Sequence, residues 1–216
     1  MLDSDYILLI FNCFKYRFKA LKQNDSWIPN LPKNVIYFHV LGDPELTNDF
    51  EFSLSENILY IKVDDDYNSL PKKVIRAYSA INKTYNFKYI FKTDDDQQVT
   101  NINFFNVIIR LLNKKYDDNE TRIHYGGHIV DVKQAYKSEY YRIHDELPQD
   151  LIVKSTKYCS GRFYFLSNNS INQLIQKNDE ISSEYLEDYA IGLNLSTQLK
   201  INMLPLDTNK YFIDFK

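Results

Sequence analysis

Cysteine is scarce in this sequence, which carries only Cys13 and Cys159. Two residues cannot make a disulfide framework, and they lack the paired spacing of a zinc site. Both read as buried thiols, with a single disulfide as the alternative. Glycine and proline are few, five and six in 216 residues, and no Ser/Gly/Pro-rich stretch divides the chain. Without a linker, residues 1–216 are expected to form one domain, long enough to bury a full core. A basic excess is missing too. The formal net charge is −3, and no run of Lys and Arg suggests a groove for nucleic acid, so no nucleic-acid partner is expected. Long apolar runs are absent, and no stretch approaches the ~18 residues of a membrane span. "YILLIFNCF" (6–14) follows acidic residues instead of a basic leader, so it reads as a core strand.

The chain does have alternating segments of two kinds. "YILLIF" (6–11), "NVIYFHVL" (34–41), "NILYIKV" (57–63) and "KYIF" (88–91) are continuous apolar runs, expected as strands buried on both faces. "SLPKKVIRAYSAINKTY" (69–85) has Ser69 placed to cap a helix and Pro71 in its first turn. Val74, Ile75, Tyr78 and Ile81 then share one face. "INFFNVIIRLLNKKY" (102–116) repeats that spacing. The alternation predicts an α/β domain with a mainly parallel central sheet and helices on both faces. Ligands of such sheets bind beyond the carboxyl ends of the strands.

Asp94, Asp95 and Asp96 fall at such an end, in "KYIFKTDDDQQV". Adjacent carboxylates repel, and near a partly buried site they stay ionised only with water, hydrogen-bond donors or a cation. In extended backbone Asp94 and Asp96 point one way and Asp95 the other, a spacing suited to clamping Mg²⁺ or Mn²⁺. The alternative for a bare triplet is a solvated acidic turn, and Asp64–Asp66 form a second triplet after a strand.

The surrounding sequence separates the two triplets. "YIFKTDDDQQV", "DDDYNSLPKKVIRAYSAI", "KYCSGRFYFLS" (157–167) and "EYLEDYAIGLNL" (184–195) occur in this order. Together they resemble four blocks of the inverting β-1,3-glycosyltransferases, a family that includes galactosyltransferase, N-acetylglucosaminyltransferase and Fringe enzymes. The resemblance covers roughly residues 34–204 and implies a GT-A-like fold. It also implies a UDP-sugar donor, a carbohydrate or glycosylated acceptor, and Mn²⁺ or Mg²⁺ held by Asp96 and Asp94. By the same match the first triplet is mainly structural.

Further roles follow from the resemblance. Asp188 is the general base and Glu187 its neighbour that orients or binds the acceptor. Lys92 and Asp95 belong to the donor side, as does Arg17, which with Lys19 and Lys22 stands for the charge of the family's basic N-terminal segment. Tyr158, Ser160, Gly161 and Arg162 lie beside the sugar, with Arg162 standing where relatives often carry Gly. The family's metal-binding His near the C-terminus has no counterpart, because histidines stop at His144. Asp207 and Asp214 are the carboxylates in that tail, and Asp214 is the candidate third ligand, with water as the alternative. Ser182 or Ser183 is placed to cap the helix bearing Asp188, whose dipole is expected to lower the base's pKa. His128, in "YGGHIVDV" (125–132), reads as a structural or rim residue. The competing classes are a non-catalytic sugar- or nucleotide-binding relative and a metal-dependent phosphohydrolase. Relatives with an N-terminal anchor imply the Golgi lumen if the chain is a trimmed catalytic domain, and the cytoplasm if it is complete. The Asn/Lys/Ile/Tyr bias points to an AT-rich coding sequence, such as that of a giant virus or a protist.

Overall fold

The computed structural model describes residues 1–215. Strand β1 (Tyr6–Phe11) is buried at all six positions, as a strand covered on both faces requires. Helix α1 (Phe18–Ser26) follows. Strands β2 (Val35–Gly42), β3 (Phe50–Ser53) and β4 (Ile58–Ile61) come next. Helix α2 (Leu70–Thr84) carries Pro71 in its first turn and buries Val74, Ile75, Tyr78 and Ile81, the face its spacing predicts. Ser69 makes no side-chain cap. Its own N–H donates to Asp66 Oδ1 at 2.7 Å, which ties the helix entry to the preceding triplet.

Strand β5 (Tyr89–Asp94) ends at the second triplet, and a two-residue turn leads into β6 (Gln97–Val99). Helix α3 (Phe104–Tyr116) and strand β7 (Tyr125–Val132) precede a small hairpin, β8 (Tyr136–Lys137) with β9 (Ile152–Val153). The twelve-residue β10 (Thr156–Ser167) leads into α4 (Asn168–Ile175), α5 (Asn178–Ser182) and α6 (Glu187–Asn194). Short strands β11 (Leu204–Pro205) and β12 (Phe212–Asp214) close the described chain.

The central sheet has eight strands in the order β11-β7-β10-β5-β1-β2-β4-β3. Four pairings are parallel (β11·β7, β5·β1, β1·β2, β2·β4) and three antiparallel. The expected parallel sheet is therefore the centre of a mixed one, because β10 inserts antiparallel between β5 and β7. Alternation along β1 distributes the core. Ile7, Leu9 and Phe11 join the cluster formed by α2, α4, α5 and α6. Tyr6, Leu8 and Ile10 join the opposite cluster with Trp27 and the aromatic face of α3. Each such side chain contributes about 1.5–3 kcal/mol by leaving water, so both helical layers are firmly seated. Four segments consequently meet at one end of the sheet: the ends of β1 and β5, the bulged middle of β10 and the start of α6.

Candidate active site

Lys92 sits on β5 two residues before the triplet and is 1% exposed. A buried ammonium requires partners, and it has three. Its Nζ lies 2.6 Å from Asp94 Oδ1, 3.1 Å from Glu187 Oε2 and 2.8 Å from the Gly161 carbonyl. Burial works against its charge, yet the carboxylates of Asp94 and then Glu187 outweigh that penalty and hold its pKa above the ordinary lysine value. Lys92 is thus a cationic tie beneath the cleft, not a solvated surface lysine.

Each aspartate of the triplet meets a different donor. Asp94 has Lys92. Asp95 pairs with Lys19 of α1 at 3.0 Å. Asp96 Oδ1 accepts from the Gln97 amide at 2.7 Å, and the same nitrogen donates to Asp214 at 2.9 Å. Burial raises the pKa of Asp94 and Asp95, with Lys92 and Lys19 only partly offsetting it. The loop is held from below by Gln23, whose amide donates to the carbonyls of Asp94 and Gln97, and by the Trp27 indole, which also reaches Gln97.

Glu187 and Asp188 open α6 and point to different places. Glu187 is 5% exposed and accepts from the Tyr164 hydroxyl, which in turn meets Tyr78 at 2.7 Å. Its carboxylate turns to Lys92 and Tyr164 at the floor of the cleft, which it lines with Asp188. Asp188 lines the cleft. Its carboxylate accepts from the Gly161 N–H at 3.0 Å and the Tyr189 N–H at 2.7 Å. Burial raises its pKa, outweighing Lys92 and those two donors. The expectation that the helix start lowers it is therefore reversed, because desolvation is the larger effect. No serine caps this helix either; Leu186 stands at its N-cap and Ser183 turns back to Glu180.

The cleft has a volume of about 550 Å³. One wall is polar, where Asp65 accepts from Lys73 at 2.7 Å and from the N–H groups of Phe14 and Gly42. Lys73 also binds the Asn12 carbonyl at 2.8 Å. The first triplet is thereby a structural clasp between β1, β2 and α2. The other wall is aromatic. Tyr67 stacks on His144 at 4.2 Å, with Tyr140 and Tyr158 beside them. Burial, then the charges of Asp188 and Asp94, push the Tyr67 phenol up to about 12.

Of the residues singled out in the sequence, Lys92, Asp94, Asp95, Asp96, Tyr158, Gly161, Arg162, Glu187 and Asp188 share this one cleft. Arg17, Ser160, Asp214, Asp207 and His128 do not line it. Arg17 is exposed and lies over the Phe14 ring, 5.8 Å from its centroid, while Lys19 takes the position by the triplet. Ser160 lies on the bulged part of β10, outside the lining. Asp214 is drawn aside by Arg162 at 2.9 Å, and Asp207 pairs with Lys210 at 3.4 Å. His128 is exposed on β7. Tyr67 and Lys73 belong to the block matched to the family and read as structural, whereas Tyr140 and His144 carry no motif and approach only through tertiary contacts.

Among the described residues no three His, Cys, Asp or Glu side chains converge as a metal cage. Asp94 and Asp96 nonetheless present carboxylate oxygens in one cleft, a donor type that fits Mg²⁺ or Mn²⁺ completed by water and phosphate.

Residues 21–207 match the family model Galactosyltransferase. The chain belongs to that family. Among solved structures it is similar to S. aureus TarS 1–349, at 12% identity and a TM-score of 0.49. The alignment covers 98% of this chain and 60% of that one, so the chain spans less than two thirds of TarS 1–349. No curated protein matches the chain. No helix among the described residues is long and apolar enough to cross a membrane.

Proposed function

We propose that the protein is a metal-dependent inverting glycosyltransferase. It moves a hexose such as galactose or N-acetylglucosamine from a UDP-sugar to a carbohydrate hydroxyl, forming a β-1,3 linkage. The supporting observation is the geometry at Gly161. Its N–H holds Asp188 at 3.0 Å and its carbonyl holds Lys92 at 2.8 Å. A Cβ built there would come 3.6 Å from Asp94 Oδ2 and 3.8 Å from Asp188 Cβ. Base and triplet therefore face one small open space.

The acceptor oxygen attacks the anomeric carbon as the bond to the diphosphate breaks, and UDP leaves. Asp188 takes the hydroxyl proton on the face opposite the departing diphosphate. Its raised pKa suits it to that task, since a stronger base captures the proton more completely. Bound at Asp94 and Asp96, Mn²⁺ or Mg²⁺ would neutralise charge on the diphosphate. Lys92 and Gly161 fix the spacing of the two carboxylates, and Lys19 holds Asp95 in register with them.

Calorimetric titration of UDP with Mn²⁺, then with EDTA, is the test, repeated on Asp96→Ala. Binding that needs both metal and Asp96 supports the proposal. Asp188→Asn should keep UDP binding and lose transfer, whereas full turnover in that variant would favour a phosphohydrolase. A non-catalytic relative is the second reading, favoured by the donors that already occupy Asp94, Asp95 and Asp96. UDP binding indifferent to metal would select it.

A further inference from the structure

Residues 14–22 read FKYRFKALK, and their apolar side chains remain in water. Phe14 is 43% exposed, Tyr16 38%, Phe18 51% and Leu21 65%. Lys15, Arg17 and Lys22 are exposed as well. Four cations lean on the rings, with Lys15 and Lys19 over Tyr16 at 5.2 and 4.6 Å, Arg17 over Phe14 and Lys22 over Phe18 at 5.8 Å each. Exposed apolar side chains in such a cluster mark an interaction surface more often than chance placement does.

The cleft explains only part of this stretch. Tyr16 and Lys19 line it, but Lys15, Phe18, Leu21 and Lys22 do not. On α1 the side chains of Phe18, Leu21 and Lys22 share one face by their spacing. The inner side is committed elsewhere, through buried Gln23 and its bonds to the triplet loop. An outer helix face of a globular protein is ordinarily polar. Here it combines cations with a phenyl ring and an isobutyl group.

We propose that this outer face docks on an anionic membrane surface. Lys15, Arg17 and Lys22 are its free cations, Lys19 being paired with Asp95, against the single exposed carboxylate of Asp25 on the same helix face. Within a chain of net charge −3, the patch thus keeps a local positive excess complementary to acidic lipid. Lysine and arginine near a negatively charged leaflet gain Coulombic attraction. Aromatic and leucyl side chains on the same face enter the boundary between headgroups and acyl chains. Phe18 and Leu21 favour lipid over nucleic acid, because phosphate recognition has no use for an exposed isobutyl group. The sequence-level absence of a basic excess holds for the whole chain and conceals this patch. The inference does not depend on the transferase proposal.

Co-sedimentation of the full chain with phosphatidylcholine vesicles, with and without phosphatidylserine, tests it. The expected result is binding that needs phosphatidylserine and weakens with salt. Lys15→Gln/Lys22→Gln should reduce partition by about fivefold per charge, and Phe18→Ser/Leu21→Ser should reduce it without altering the salt dependence. Thermal melts check that the variants remain folded. No binding to phosphatidylserine vesicles, binding that folded variants of both kinds retain in full, or capture by an RNA oligonucleotide in place of vesicles would overturn it.

Discussion

Lys92 Nζ lies 3.1 Å from Glu187 Oε2, and both side chains are almost wholly removed from water. Removing one partner of a buried ion pair leaves the other charge without compensation, at a cost of about 3–5 kcal/mol. Lys92→Met is expected to lose stability on that scale, and adding Glu187→Gln should recover part of it. Urea denaturation of the three proteins checks this. An unchanged midpoint for Lys92→Met would show that the pair contributes nothing.

The raised carboxylates set two opposed pH trends. In its proposed role as base Asp188 must be ionised, and its pKa is above the ordinary 3.8. Transfer should therefore fall on acidification, beginning at a higher pH than an ordinary aspartate allows. Stability runs the other way for these groups. Asp94, Glu187 and Asp188 hold protons more tightly folded than unfolded. Their contribution is fully present below the unfolded pKa values and is lost as pH rises through the folded ones. Comparing the pH dependence of the urea midpoint with that of Glu187→Gln isolates one such contribution. Parallel curves would contradict the raised pKa of Glu187.

His39 supplies the reverse dependence. Burial lowers its pKa from 6.5 to about 4, with its ring between Asn12 and Asn24 at 2.8 and 3.2 Å. The unfolded chain then binds a proton that the fold excludes, so stability falls by about 3 kcal/mol as pH drops through that window. His39→Gln should remove this component. NMR titration of the imidazole provides the direct check, and a value near 6.5 would refute it.

Two glycines should respond differently to a methyl group. At Gly161 a Cβ meets Lys92 Nζ at 3.3 Å and no backbone atom is among its nearest neighbours. Gly161→Ala is expected to fold and to lose transfer, by crowding the space before Asp188. At Gly192 a Cβ would stand 2.2 Å from Tyr158 Cβ and 2.7 Å from its Cα. Gly192→Ala should destabilise by about 1–3 kcal/mol as α6 is forced off β10. Thermal melts set beside turnover distinguish the two, and equal melting losses would remove the distinction.

Much of this fold was legible because its central strands are continuous apolar runs and α2 and α3 keep a helical stripe. β1 runs over Tyr6–Phe11 as expected, and Asp94 does end a strand. The antiparallel insertion of β10 was not legible, since apolar continuity says nothing about strand direction. Within the site, the resemblance to the glycosyltransferase blocks brought Asp94, Lys92 and Asp188 into view together. It could not reveal that Glu187 turns inward to Lys92, that Gln97 joins Asp96 to Asp214, or that His144 folds over Tyr67. Those relationships join residues between 1 and 117 positions apart, and only the tertiary fold decides them.

The segment carrying Tyr140 and His144 leaves the sheet after Val132 and returns at Thr156, and those two residues are paired across adjacent strands. An excursion that departs and re-enters at the same rung places no demand on the sheet about its length or content. The Tyr140 and His144 part of the aromatic wall is thereby a replaceable cassette, set against the fixed Tyr67 and Tyr158. Selection can exchange it, and with it the molecule that fits against Tyr67, while Lys92, the aspartates and the start of α6 stay where they are.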